Sequence, residues 1–120
     1  MAPAARVLLV VATLGRRPAY LRQTLESIRQ QSVRADVVVV APGGDATTQA
    51  LAEEFACTQI PDPGSLPGAI NLGVREGLSG HDFVNWLNDD DLLEPGSLET
   101  TSQTLSAHSE AVVAYGACRY

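Results

Sequence analysis

Two hydrophobic rhythms alternate along the chain. Residues 6–12 and 36–41 are unbroken apolar runs, the second containing "VVVV", and both read as strands buried on two faces. Between them Pro18 opens a stretch in which Leu21, Leu25 and Ile28 recur at helical spacing, ending near Gln31. The turn "APGGD" follows, after which Thr47 or Thr48 is expected to cap a helix burying Leu51 and Phe55. A short strand over 57–60 runs into the breaker-rich "PDPGSLPG". Ile70, Val74 and Leu78 mark the buried face of a third helix, which stops at Gly80. Residues 82–87 form a further strand, Pro95 opens a helix to about Ser106, and "AVVAYGACRY" at 111–120 is expected to be a last strand.

Strands that alternate with helices pair in parallel through right-handed crossovers, so the expected fold is a three-layer α/β sandwich with a mainly parallel sheet. A chain of 120 residues makes one such domain. Ligands in these sheets bind beyond the C-terminal ends of the strands, which directs attention to "DFVNWLNDDDLLEP", residues 82–95, where a strand ends in three aspartates.

Composition narrows the function classes. A net charge of −6, with all eight basic residues Arg, argues against a nucleic-acid surface. The opening "RVLLVVATL" has the charge-then-apolar order of a signal peptide, but "GRRP" stands where a cleavage site belongs, and a buried first strand explains the run. No run approaches the ~20 apolar residues of a membrane span. Cys57 and Cys118 are too few for a metal knuckle or a disulfide framework and read as buried free thiols of a cytoplasmic protein.

Two carboxylates ~5 Å apart repel by about 3 kcal/mol at an effective dielectric of ~20. Either solvent and splayed side chains relieve this, or a divalent cation does, since Mg²⁺ and Mn²⁺ prefer oxygen ligands. Strand alternation pairs Asn88 with Asp90 on one face and Asp89 with Asp91 on the other. An EF-hand lacks its Gly and its later Glu here, a phosphate loop lacks its Lys, and an aspartyl phosphotransferase wants its nucleophile after the first strand, not the fourth.

Two long segments resemble the family 2 glycosyltransferases. "VATLGRRPAYLRQTLESIRQQS" is similar to the family's opening strand, Arg-bearing loop and helix, with Leu25, Ser27 and Gln31 at matching positions. "GAINLGVREGLSGHDFVNWLNDDDLLEPGSL" is similar to the segment in which an Asn-x-Gly helix, here Asn71 and Gly73, precedes a strand ending in an Asp-x-Asp element, here Asn88 and Asp90. The resemblance implies a Rossmann-like GT-A nucleotide-binding domain, with a nucleoside-diphosphate sugar as donor and Mn²⁺ or Mg²⁺ between Asp90 and the diphosphate. Asp90, with Asn88, is then the metal ligand. Asp89 or Asn88 binds the ribose or a metal-bound water, and Asp91 braces the turn. Thr13 and Arg16 fall where the family holds the base and nearby phosphate, with Arg17 as the alternative to Arg16. Asn71 orients the adjoining loop.

Three departures qualify this. The acidic pair that the family places after its second strand is "APGG" here, leaving Asp45 or backbone groups to read the base. Asn88 keeps an acceptor oxygen but lacks a charge. The family extends beyond this length into its acceptor site and catalytic base, and none of Glu94, Glu99 and Glu110 matches that base, so the acceptor is unknown. His81 and His108 read as surface residues and Trp86 as core. Two function classes follow: the donor-binding part of a glycosyltransferase, or a domain that binds a nucleotide sugar or a partner chain without transfer. An apolar edge at 111–120 predicts a homodimer or poor solubility.

Overall fold

The computed structural model describes residues 5–116. Four parallel strands form one sheet in the order β3-β2-β1-β4: β1 Val7–Ala12, β2 Ala35–Ala41, β3 Thr58–Pro61 and β4 Phe83–Asn88. Helices α1 Pro18–Arg29, α2 Ala46–Glu54, α3 Leu66–Gly77 and α4 Ser97–Ala107 complete three layers, as the alternation predicts. All six residues of β1 are buried, because this strand is central and covered on both sides. Val7, Leu9 and Val11 pack with Leu21, Leu25 and Ile28 of α1, Leu51 of α2 and Leu98 of α4. Leu8, Val10 and Ala12 face the other way, onto Ala69 of α3.

The buried stripe of α3 differs from the one expected. Ile70 and Val74 are half-buried and Leu78 is exposed, whereas Ala69 and Gly73 are buried. Small residues at four-residue spacing let α3 lie close on the sheet: a Cβ on Gly73 would sit 2.5 Å from a Val10 methyl, and one on Gly77 would sit 2.9 Å from Leu8. Gly73 of the Asn-x-Gly motif therefore sets the helix-to-sheet distance.

Other local expectations are corrected. Asp45, not Thr47 or Thr48, caps α2, accepting from the Thr47 N–H at 3.2 Å. Trp86 is 42% exposed, since β4 lies at the sheet edge beyond the cover of α3. His81 is not a surface residue: its ring is 8% exposed, with Nε2 2.7 Å from Asp36. Residues 111–116 carry no strand, and 117–120, with Cys118, lie outside the described residues. Among the described residues the edge strands are β3 and β4. Cys57 is a half-buried free thiol whose pKa burial pushes up to about 11. Among the described residues, no helix is long and apolar enough to cross a membrane.

Candidate functional site

β1 and β4 run side by side in parallel, with Ala12 opposite Asn88, so the loops that follow them open at the same end of the sheet. The strand character of β4 stops at Asn88, and the next residues turn: the Asp91 N–H donates to the Asn88 carbonyl at 3.2 Å, while the Asn88 N–H donates to Asp91 Oδ2 at 3.0 Å. Asp91 thus braces the turn. The turn also cancels strand alternation beyond Asn88, so the expected Asn88–Asp90 and Asp89–Asp91 faces do not apply.

A polar row on α1 holds this turn in place. The Thr24 hydroxyl, completely buried, lies 2.9 Å from the Asp89 carbonyl and 2.7 Å from that of Asp91. Ser27 Oγ accepts from the Leu93 N–H at 3.1 Å. Gln31 donates to the Glu94 carbonyl at 2.9 Å and accepts from the Leu98 N–H at 3.1 Å. Thr24 and Ser27 share one face of α1, and Gln31 follows just past its C-cap, so the segment that packs the core also orders the backbone of the aspartate loop. Sequence reasoning gave Thr24 no role; its signal was a hydroxyl within an otherwise apolar stripe.

The three aspartates have three different environments. Asp89 is 5% exposed, with Oδ2 accepting from Thr13 Oγ1 at 2.8 Å and Oδ1 from Arg17 Nη2 at 2.9 Å. Asp90 has a side chain 44% exposed and approaches Arg17 Nη1 at 3.3 Å. Asp91 is spent on the turn. The repulsion expected between Asp89 and Asp90 is thus offset by one guanidinium standing on both.

These groups line a cavity of about 640 Å³, within the range of small-molecule sites. Thr13, Arg16, Asn88, Asp89 and Asp90 all face it, so five of the six residues selected from the sequence converge. Asn71 does not; it is exposed on α3 and outside the lining. Asp62 and Ser65, which the sequence reading did not single out, contribute from the loop after β3. That loop's position after a strand end was the available signal. The N-termini of α1, at Arg16 and Arg17, and of α3, at Ser65 and Leu66, both border the cavity and favour anions there.

The donor set suits a hard divalent cation, which takes one or two carboxylates and completes its shell with water and phosphate oxygens. Among the described residues no group of three or more His, Cys, Asp or Glu side chains converges that could hold such an ion.

Asp45 is committed elsewhere. Its Oδ2 accepts from Thr48 Oγ1 at 2.7 Å, and this bond holds its pKa below the ordinary carboxylate value. The loop after β1 crosses directly over it: Gly15 has φ +75°, and a Cβ there would collide with the Asp45 carboxylate. Asp45 does not line the large cavity.

The family model for glycosyl transferase family 2 matches residues 9–120. The chain belongs to this family. The Staphylococcus aureus protein TarS, residues 1–349, superposes with TM-score 0.74 at 17% identity, covering 95% of this chain and 38% of its own. TarS in complex with UDP-GlcNAc matches with TM-score 0.70 at 17% identity, over 87% of this chain and 32% of its own. The mannosyltransferase PcManGT of Pyrobaculum calidifontis, solved with GDP-Man and Mn²⁺, gives TM-score 0.73 at 19% identity, over 88% of this chain and 33% of its own. At such identities the likeness establishes a GT-A-like fold, and this family 2 chain spans about a third of the length of these structures. None of the curated proteins matches the chain in sequence.

Proposed function

We propose that the domain binds the nucleoside-diphosphate sugar donor of a glycosyltransferase, with Asp90 as principal ligand to Mn²⁺ or Mg²⁺. The observation that carries this reading is the buried Asp89, tied to Thr13 and Arg17, beside an accessible Asp90 on the same large cavity. Solved structures of similar fold were determined with UDP-GlcNAc in one case and with GDP-Man and Mn²⁺ in another.

A bound divalent cation neutralises the charge that develops on a departing nucleoside diphosphate. The chain's own residues prepare for it. Asp90 and the Asn88 amide oxygen present hard donors, and Asp89 holds Thr13 and Arg17 in place, which leaves the ribose or an outer water to Asn88. Arg16, which makes no ion pair among the described residues, is free to take a phosphate oxygen, and the two helix N-termini add to the positive potential.

A second reading is a domain that holds a nucleotide sugar without transferring it. Glu99 accepts from Ser32 Oγ at 2.9 Å and Glu110 pairs with His108 at 3.4 Å, so neither is placed to deprotonate an acceptor at the cavity. In either reading the setting is cytoplasmic, which suits the free thiol of Cys57. The homodimer belongs to the same reading, through β4, and light scattering that finds a monomer removes it.

The test is a thermal-shift panel of nucleoside diphosphates with and without Mn²⁺. A ligand at a hundredfold excess over Kd adds about 2.7 kcal/mol of stability, a rise of several degrees. No shift with any nucleotide rejects donor binding. An acceptor assay separates the two readings.

A further inference from the structure

Arg17 occupies a position that a phosphate-binding arginine alone would not need. Its Nη2 lies 2.9 Å from Asp89 and its Nη1 3.3 Å from Asp90, so one planar guanidinium bridges both carboxylates of the candidate metal site. It is held there by geometry, since Asp89 is anchored on its other side by Thr13 at 2.8 Å. Yet Arg17 is not locked: its side chain is 49% exposed, and its guanidinium lies 5.7 Å from the Tyr20 ring centroid, at the very start of α1. The head group is therefore able to swing from the carboxylates into the cavity that it already lines.

A cation arriving at Asp90 meets this positive charge. Without another partner for Arg17, metal binding costs both the two ion pairs and the repulsion between like charges. A diphosphate in the cavity removes that cost, because its oxygens accept the same planar fork.

We infer that Arg17 is the resident counter-cation of the Asp89–Asp90 pair, exchanged for the divalent cation when a nucleoside diphosphate is present to receive the guanidinium. This rests on the proposed donor-site reading and deepens it. Metal and nucleotide are then coupled through one side chain, and the coupling is reciprocal.

The test compares wild type, Arg17→Gln and Arg17→Lys, each first checked for cooperative unfolding well above the measuring temperature. Mn²⁺ binding is followed by the paramagnetic resonance signal of the free ion, alone and with UDP or GDP, corrected for the metal–nucleotide complex in solution. Arg17→Gln is expected to bind Mn²⁺ alone about tenfold more tightly than wild type, the scale of a typical coupling between sites, and to lose most of the cooperativity with nucleotide. Arg17→Lys, which keeps the charge, is expected to stay close to wild type. Unchanged or weaker Mn²⁺ binding by Arg17→Gln overturns the exchange while leaving donor binding standing, provided wild type still binds nucleotide with metal. Equal tightening by Arg17→Lys also overturns it, since charge is then not the cause. Absence of Mn²⁺ binding in every protein, with and without nucleotide, overturns both the exchange and the metal-dependent reading.

Discussion

β2 and β4 flank β1 and end at the same edge of the sheet, but their C-terminal turns have opposite uses for acid. After β2, the acid at hand is Asp45, and both its oxygens serve structure by capping α2 and fastening Thr48. After β4, four consecutive oxygen-bearing side chains divide the work: Asp91 shapes the turn, Asp89 is buried as an anchor, and Asn88 and Asp90 are left facing the cavity. The number of acids does not make a site. What separates the two turns is whether a carboxylate has oxygens remaining after the backbone has been satisfied, and Thr24 and Ser27 of α1, with Gln31 just beyond it, supply at β4 the support that Asp45 must supply for itself at β2.

Asp89→Ala breaks the comparison most severely. It removes the acceptor of Thr13 and Arg17 together, with an expected loss of about 2–3 kcal/mol in urea unfolding and of nucleotide binding. A loss below about 0.5 kcal/mol, the range of plain surface changes, shows that Asp89 is no anchor. Asp90→Asn is expected to leave stability unchanged and to weaken Mn²⁺ in the nucleotide complex about tenfold, about 1.4 kcal/mol by titration calorimetry. Equal metal affinity removes Asp90 from the ligand set. Asp45→Ala sharpens the contrast from the other side, lowering the melting temperature through a lost cap while nucleotide affinity stays as in wild type.

The smallest effect is expected at the opposite end of the sheet, where His81 hydrogen-bonds Asp36 and holds its pKa below the ordinary 3.8. A carboxylate with a depressed folded pKa contributes stability that is present above its unfolded pKa and is lost as pH falls through the folded value. Acid unfolding between about pH 4 and lower values is therefore expected to be shallower in Asp36→Asn, by circular dichroism, with nucleotide binding at neutral pH untouched. An identical acid limb removes the pair's contribution.

The order and parallel pairing of the elements were legible because buried central strands such as β1 carry unbroken apolar runs, and α1 repeats Leu21, Leu25 and Ile28 on one face. The family resemblance directed attention to the turn after β4, whose Asn88, Asp89 and Asp90 line one cavity with Thr13 and Arg16. Less legible was anything that depends on three dimensions at once. Strand alternation put Asn88 with Asp90, but it stops where the turn begins, and a turn is decided by side chain-to-backbone bonds such as that of Asp91. Trp86 has the composition of core, yet exposure depends on which strand stands at the edge. Gly73 was legible as a motif position while its reason, contact with Val10, was not. Arg16 and Arg17 are chemically identical in sequence, and only the path of the loop after β1 sends the second to the aspartates.

The most direct test of the central claim is paramagnetic broadening by Mn²⁺ in the amide spectrum of isotope-labelled protein saturated with UDP or GDP, referenced to Mg²⁺. Signals from residues 13–17, 62–66 and 88–91 are predicted to vanish first, while those around Asp36 and His81 at the far end persist. Broadening centred on the turn after β2, or none at all, contradicts the assignment of the donor site to the aspartates of β4.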